Sequence, residues 1–330
     1  MKKFVSRRAV ICICILCQLF LFCSCGTVLV NYALLRHDGK KDSNRNLIDP
    51  GQMTSPETMS DEYPDRTNYD VLNQQANEWV ERFKPEIWEI RTEDGLRLEG
   101  DFFRNKGSHR YAVVVHGYTG KRSDLYTRDK LFYEWGFNVL APDNRSHGKS
   151  DGKYIGMGWL DSNDLLVWIN RVVQEDSEAR IVLYGSSMGG ATVMMASGLD
   201  LPQNVRCIVE DCGYTSVWDE FDYLLRNFLH RKSGNLLKSM DRASKRLASY
   251  GIIEASSVNR LSEAKIPVMF IHGTADTFVP YRMIDDNIEA YKGPYSEVLR
   301  IEGAGHGASY YKNTELYTKA VKTFTDKFTL

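Results

Sequence analysis

The 330-residue chain is 43% hydrophobic and 26% charged, with a formal net charge of −1. Such a chain can build one large domain with a sizeable core, or two small ones. The balanced charge argues against nucleic acid as the main partner. No Cys/His cluster has zinc spacing, so neither a structural metal nor a cofactor is expected.

The chain opens with Lys2, Lys3, Arg7 and Arg8, followed by a nearly continuous apolar run from Ala9 to Leu35. About 20 apolar residues let a helix cross a bilayer, whereas a cleaved signal peptide has a shorter apolar core. Residues 1–35 are therefore expected to form an uncleaved signal anchor, a single transmembrane helix with the membrane as its partner. The basic start places the main domain outside the cytoplasm. An alternative is a lipoprotein ending at Cys25, although Phe22 and Cys23 stand where a lipobox has Leu and Ala or Ser. Residues 36–68, rich in Asp, Asn, Pro, Ser and Thr, read as a tether. Five of the seven cysteines lie in the apolar N-terminus. The other two, Cys207 and Cys212, share a strand-like "VRCIVEDC" that holds them beyond disulfide reach.

The main body is expected over residues 69–330. Leu72, Ala76, Trp79, Val80 and Phe83 have helical spacing and read as an amphipathic helix docked on it. "IWEIRTEDGLRLEGDFF" alternates around Glu93-Asp94-Gly95, which is a hairpin signal. Then short apolar runs alternate with helical patterns: 111–117, 137–143, 180–186, 205–211, 266–273 and 296–303. Continuous Val/Ile runs between helices mean a mostly parallel, doubly wound α/β sheet covered on both faces. Ligands of such sheets bind at the carboxyl ends of the strands.

"YGSSMGG" follows one of these strands. A serine hydroxyl is a poor nucleophile unless a base takes its proton, an acid orients the base and donors receive the oxyanion. Gly185-Ser186-Ser187-Met188-Gly189 fits a strand-to-helix elbow that exposes Ser187. Of the seven histidines, His37 lies in the tether, His109 in a turn and His230 in an insert. His116 and His272 end strands and shape turns, and His147 packs a polar loop. His306 in "GAGHGAS" follows the last strand, flanked by glycines, and is the best base. Asp276 in "HGTADTFVP" is the expected acid, with Asp211 as competitor. The Met188 N–H follows the nucleophile, and the Tyr118 N–H in "HGYTG" supplies a second oxyanion donor.

Together "VVVHGYTG", "APDNRSHGKSDG", "YGSSMGG", "FIHGTADTFVP" and "GAGHG" resemble the α/β-hydrolase superfamily over residues 85–327. The likeness is to its small esterase, serine-aminopeptidase-like and membrane-anchored branches. The resemblance implies Ser187, Asp276 and His306 as triad, with Tyr118 and Met188 as oxyanion donors. One departure is Ser146, which stands where many relatives have a glycine. Residues 214–258 interrupt the strand–helix rhythm and resemble a helical cap. Trp218, Phe221, Leu224, Leu225 and Phe228 either line an acyl site or seat the cap on the body. The basic face from Arg226 to Arg246 reads as solvated or membrane-apposed.

The expected function is hydrolysis of a small-molecule carboxylic ester or thioester through an acyl-serine. The alternatives are a serine peptidase acting on short peptides and a non-catalytic surface binding protein that kept the fold. Haloalkane or epoxide chemistry usually wants an aspartate where Ser187 stands.

Overall fold

The computed structural model describes residues 25–36, 66–229 and 233–330. Residues 25–33 form a first helix, α1. The body then runs α2 (Arg66–Phe83), β1 (Glu86–Arg91), β2 (Arg97–Phe103), β3 (Arg110–Val115), α3 (Tyr126–Glu134) and β4 (Asn138–Pro142). It continues with α4 (Trp159–Glu175), β5 (Arg180–Ser186), α5 (Met188–Ala196), β6 (Val205–Asp211), α6 (Val217–Leu229) and α7 (Gly234–Leu247). The chain closes with α8 (Ser257–Leu261), β7 (Val268–Gly273), α9 (Met283–Ala290), β8 (Ser296–Ile301), α10 (Ser309–Lys312) and α11 (Thr314–Thr329).

The eight strands form one sheet in the order β1-β2-β4-β3-β5-β6-β7-β8. Strand β2 runs antiparallel to both β1 and β4. The remaining pairings are parallel. The burial of each strand follows its place. Central β3 and β7 are buried at every position, as strands covered on both faces must be. Edge strands β1 and β8 alternate between buried and open positions.

Two apolar cores sandwich the sheet. On one face Leu165, Trp168, Ile169 and Val172 of α4 pack with Val193 and Met194 of α5. On the other, Trp79, Phe132, Tyr317, Val321 and Phe324 meet Val114, Tyr184 and Val209. A third cluster covers the carboxyl end of the sheet. It joins Met188 and Met195 of the body to Leu237, Met240 and Tyr250 of the insert. The insert is pinned at its neck: Ser216 pairs with Ser256, and the Ser257 N–H donates to Thr215 O at 2.8 Å.

The N-terminus corrects the sequence reading. No helix among the described residues is long and apolar enough to cross a membrane. The expected signal anchor and transmembrane helix, and the membrane-anchored, extracytoplasmic placement built on them, are overturned by this. Residues 25–35 of the expected span lie on the body instead, with Val30 and Leu34 fully buried beside Met157 and Met188. Their apolar side chains cover protein, not lipid. Residues 1–24, and 37–65 of the expected tether, lie outside the described residues.

Helix α2 shows the amphipathic docking that its spacing implies. Trp79 is buried and stacks on Phe103 with ring centroids 4.5 Å apart, and it also meets Tyr133. Phe83, at the helix end, is half exposed. Replacing Trp79 with Ala removes a large buried ring from the centre of this contact. The expected cost is about 3–5 kcal/mol, read as a lower denaturant midpoint at unchanged slope. A change below about 1 kcal/mol would mean that α2 contributes little to the fold.

Candidate active site

Ser187 sits between β5 and α5 with φ of 57° and ψ of −118°. Non-glycine residues rarely adopt a positive φ, and the strain costs on the order of 1–3 kcal/mol. The surrounding backbone holds it there. The Ser187 N–H donates to Asp211 O at 2.8 Å, and the Ala191 N–H donates back to Ser187 O at 2.9 Å. A Cβ at Gly189 would lie 2.0 Å from Val115 O, and one at Gly185 would lie 2.0 Å from Gly189 O. The glycines of the motif are therefore required by close backbone approach.

The three residues expected to act together do meet. His306 Nε2 lies 2.8 Å from Ser187 Oγ, and His306 Nδ1 lies 2.8 Å from Asp276 Oδ2. Asp276 is oriented by its own loop, since its Oδ1 accepts from the N–H groups of Phe278 and Val279 at 3.0 Å. Burial alone would raise the Asp276 carboxyl, but the imidazoles of His306 and His272 hold it down to about 2. Burial pulls His306 down, and the Asp276 carboxylate beside it more than offsets this, leaving the imidazole well above 6.5. The competitor Asp211 is turned away, its Oδ2 accepting from Tyr317 at 2.8 Å and Tyr184 at 3.2 Å.

Met188 opens α5, where a backbone N–H has no intrahelical acceptor. Gly117 lies against Ser187, close enough that an added Cβ would be 3.3 Å from the serine Cβ. The 117–118 peptide is thus beside the hydroxyl.

The comparisons with known proteins agree with this architecture. A family model described as Serine aminopeptidase, S33 matches residues 107–252. An esterase of Pyrococcus furiosus, Pf2001, superposes with a TM-score of 0.62 at 24% identity, covering 76% of this chain and 94% of that one. The chain has the α/β-hydrolase fold. Protein YqkD of Bacillus subtilis is 25% identical over 79% of this chain and 88% of its own length. The sn-1-specific diacylglycerol lipase ABHD11 of Danio rerio is 31% identical, over 36% of this chain and 37% of its own.

The fold surrounds Ser187 with an apolar cavity of about 430 Å³. Phe221, Leu224 and Leu225 of α6 form one wall, with Tyr118, Met157 and Phe278 of the body opposite. Three of the five cap residues singled out in the sequence thus line the cavity. Trp218 is only packed against the third core, and the Phe228 side chain lies outside the described residues.

Several contributors escaped the sequence reading. His272 does more than shape a turn, since its Nε2 lies 3.1 Å from Asp276 Oδ2 and flanks the acid. His147 and His116 brace the loops around residues 117–120 and 144. The Thr119 N–H donates to His147 Nε2 at 3.2 Å, and the Asn144 N–H donates to His116 Nε2 at 3.0 Å. Ser146, the departure from the family pattern, takes a φ of 63° that a glycine would adopt without strain. The Cys212 thiol, raised by burial, lies within 4.8 Å of the Asp276 and His306 ligand atoms. None of these has a signal in spacing alone.

Glu220 was not anticipated either. It lines the cavity on α6, and neither carboxylate oxygen finds a hydrogen-bond partner among the described residues. Burial pushes its carboxyl up to about 8; His306 lowers it, and Asp276 and Asp219 raise it. The folded chain therefore keeps a proton that the unfolded chain releases above about 4.5. Stability is lost as pH climbs through that window, at no more than roughly 1.4 kcal/mol per pH unit. Glu220→Gln is expected to raise the melting temperature, with a gain at pH 8 larger than at pH 5. A gain independent of pH would refute a buried, protonated Glu220.

Proposed function

We propose that this chain is a serine hydrolase that cleaves a carboxylic ester or thioester through an acyl-enzyme. The observation that carries the reading is the hydrogen-bonded relay from Asp276 through His306 to Ser187, opening into an apolar cavity. Ser187 Oγ attacks the substrate carbonyl carbon while its proton passes to His306 Nε2. The resulting oxyanion lies between the Tyr118 and Met188 N–H groups. Collapse of this intermediate expels the alcohol or thiol, which takes the proton from His306. Water then gives a proton to His306 and attacks the acyl-serine, and the acid leaves as Ser187 regains its proton. Asp276 keeps the imidazole oriented and balances the imidazolium that forms twice per cycle.

The esterase and lipase relatives support the ester side of this reading. So does the cavity wall: Phe221, Leu224, Leu225 and Met157 suit an acyl chain better than the charged end of a peptide. Substrates of small size and apolar acyl group are the first to assay.

Ser187→Ala is expected to reduce p-nitrophenyl ester hydrolysis by at least about 10³-fold with its melting temperature kept. Equal rates in parent and variant would overturn the reading. A base must be unprotonated to act, and the Asp276 carboxylate raises His306. The acidic limb of kcat/KM is therefore expected at a midpoint above 6.5. Asp276→Asn removes the anion, so it is expected to move that midpoint down and cut kcat by roughly 10³–10⁴-fold. A pH–rate profile of both proteins checks the direction.

A further inference from the structure

Residues 25–36 stand apart in sequence from the body yet reach the nucleophile's cavity. Leu29, Tyr32 and Ala33 line it together with Ser187 and the α6 wall. Leu29 and Ala33 are four residues apart on a helix, so they share one face. Val30 and Leu34 anchor that helix below, buried among Met157, Met188, Leu237 and Met240.

The segment is held by polar contacts along its whole length. Near its start, Arg246 of the cap donates to Thr27 Oγ1 at 2.9 Å. In the middle, the Tyr154 hydroxyl donates to Asn31 Oδ1 at 3.2 Å, and the Tyr118 hydroxyl donates to Ala33 O at 2.6 Å. At its end the Ile155 N–H donates to Leu34 O at 2.7 Å, and the Arg36 N–H donates to Lys153 O at 2.8 Å. The Arg36 guanidinium completes the latch on Gly148 O at 2.9 Å and on Ser150 O. A segment that merely covered an apolar patch would need only Val30 and Leu34. This one also presents side chains to the cavity and is tied to Tyr118, which lines the same cavity.

We propose that residues 25–36 are a working wall of the acyl pocket, and that Leu29 and Ala33 set the length and bulk of the acyl chain accepted. The proposal rests on the ester-hydrolase reading above and adds to it which residues choose the substrate. Filling the cavity at Ala33 displaces the far end of a long acyl chain and leaves a short one room. Trimming Leu29 extends the cavity. Each methylene gained or lost in an apolar pocket changes kcat/KM roughly tenfold or more.

The test uses the full chain with p-nitrophenyl esters from acetate to laurate, comparing the parent, Ala33→Trp, Leu29→Ala and Ser187→Ala. Ala33→Trp is expected to lower the ratio of long-chain to short-chain kcat/KM at least about tenfold. Leu29→Ala is expected to move the preferred chain to greater length. Melting temperature and stoichiometric labelling by a small fluorophosphonate report whether each variant keeps its fold and nucleophile. Should Ala33→Trp fail to fold, Leu29→Ala alone decides. Ser187-dependent hydrolysis with the same chain-length profile in parent and folded variants overturns the proposal and leaves the esterase reading standing. No Ser187-dependent hydrolysis of any ester by the parent overturns both, the esterase reading first.

Discussion

The candidate site depends on one strained residue. Ser187 can present its hydroxyl only because its backbone turns through a φ of 57° at the junction of β5 and α5. Relaxing that dihedral would turn the hydroxyl away and break the N–H bond to Asp211 O. The neighbouring strands and helix over-determine the turn, with Gly185 and Gly189 admitting backbone to within contact distance. The strain stored at the elbow is thus balanced by the packing of the whole central sheet, in which β3, β5 and β6 are its nearest strands. The same turn starts α5 at Met188, directly after the serine.

Charge is arranged around that elbow with opposing tendencies. Asp276 is buried yet stays ionised, because two imidazoles and two backbone N–H groups face it. Glu220 is buried in the adjoining cavity without a hydrogen-bond partner among the described residues, and burial keeps its proton on. Two carboxyls in one neighbourhood therefore carry different charge at neutral pH. The ionised one is reserved for His306. The protonated one leaves the cavity close to neutral, as an apolar guest requires.

Much of this was legible in the sequence. Continuous Val/Ile runs found the buried strands, because a strand covered on both faces has no polar side to mark. Ser187, Asp276 and His306 could be singled out because each follows a strand at the sheet's carboxyl end, where chain order and glycine spacing carry information, and the fold brings the three within hydrogen-bond reach. What spacing could not show is contact between distant loops. His272, His116 and His147 looked alike as loop or turn histidines, and only the fold separates the one beside Asp276 from the two that accept from the Asn144 and Thr119 N–H groups. The anchor failed for a different reason. An apolar helical run has the same composition whether lipid or protein covers it. Thr27, Asn31 and Arg36, each now hydrogen-bonded to the body or cap, were the weak signs of the second case.

The N-terminal segment also affects how the molecule is assembled. Its ties span 219 residues to Arg246 and 114 to Ser150. The body closes on itself over comparable distances, since Asn68 reaches Tyr311 across 243 residues and Arg110 reaches Thr329 across 219. The cavity is walled only where contacts that span most of the chain meet, so the finished binding site belongs to the whole fold and not to any one strand–helix unit.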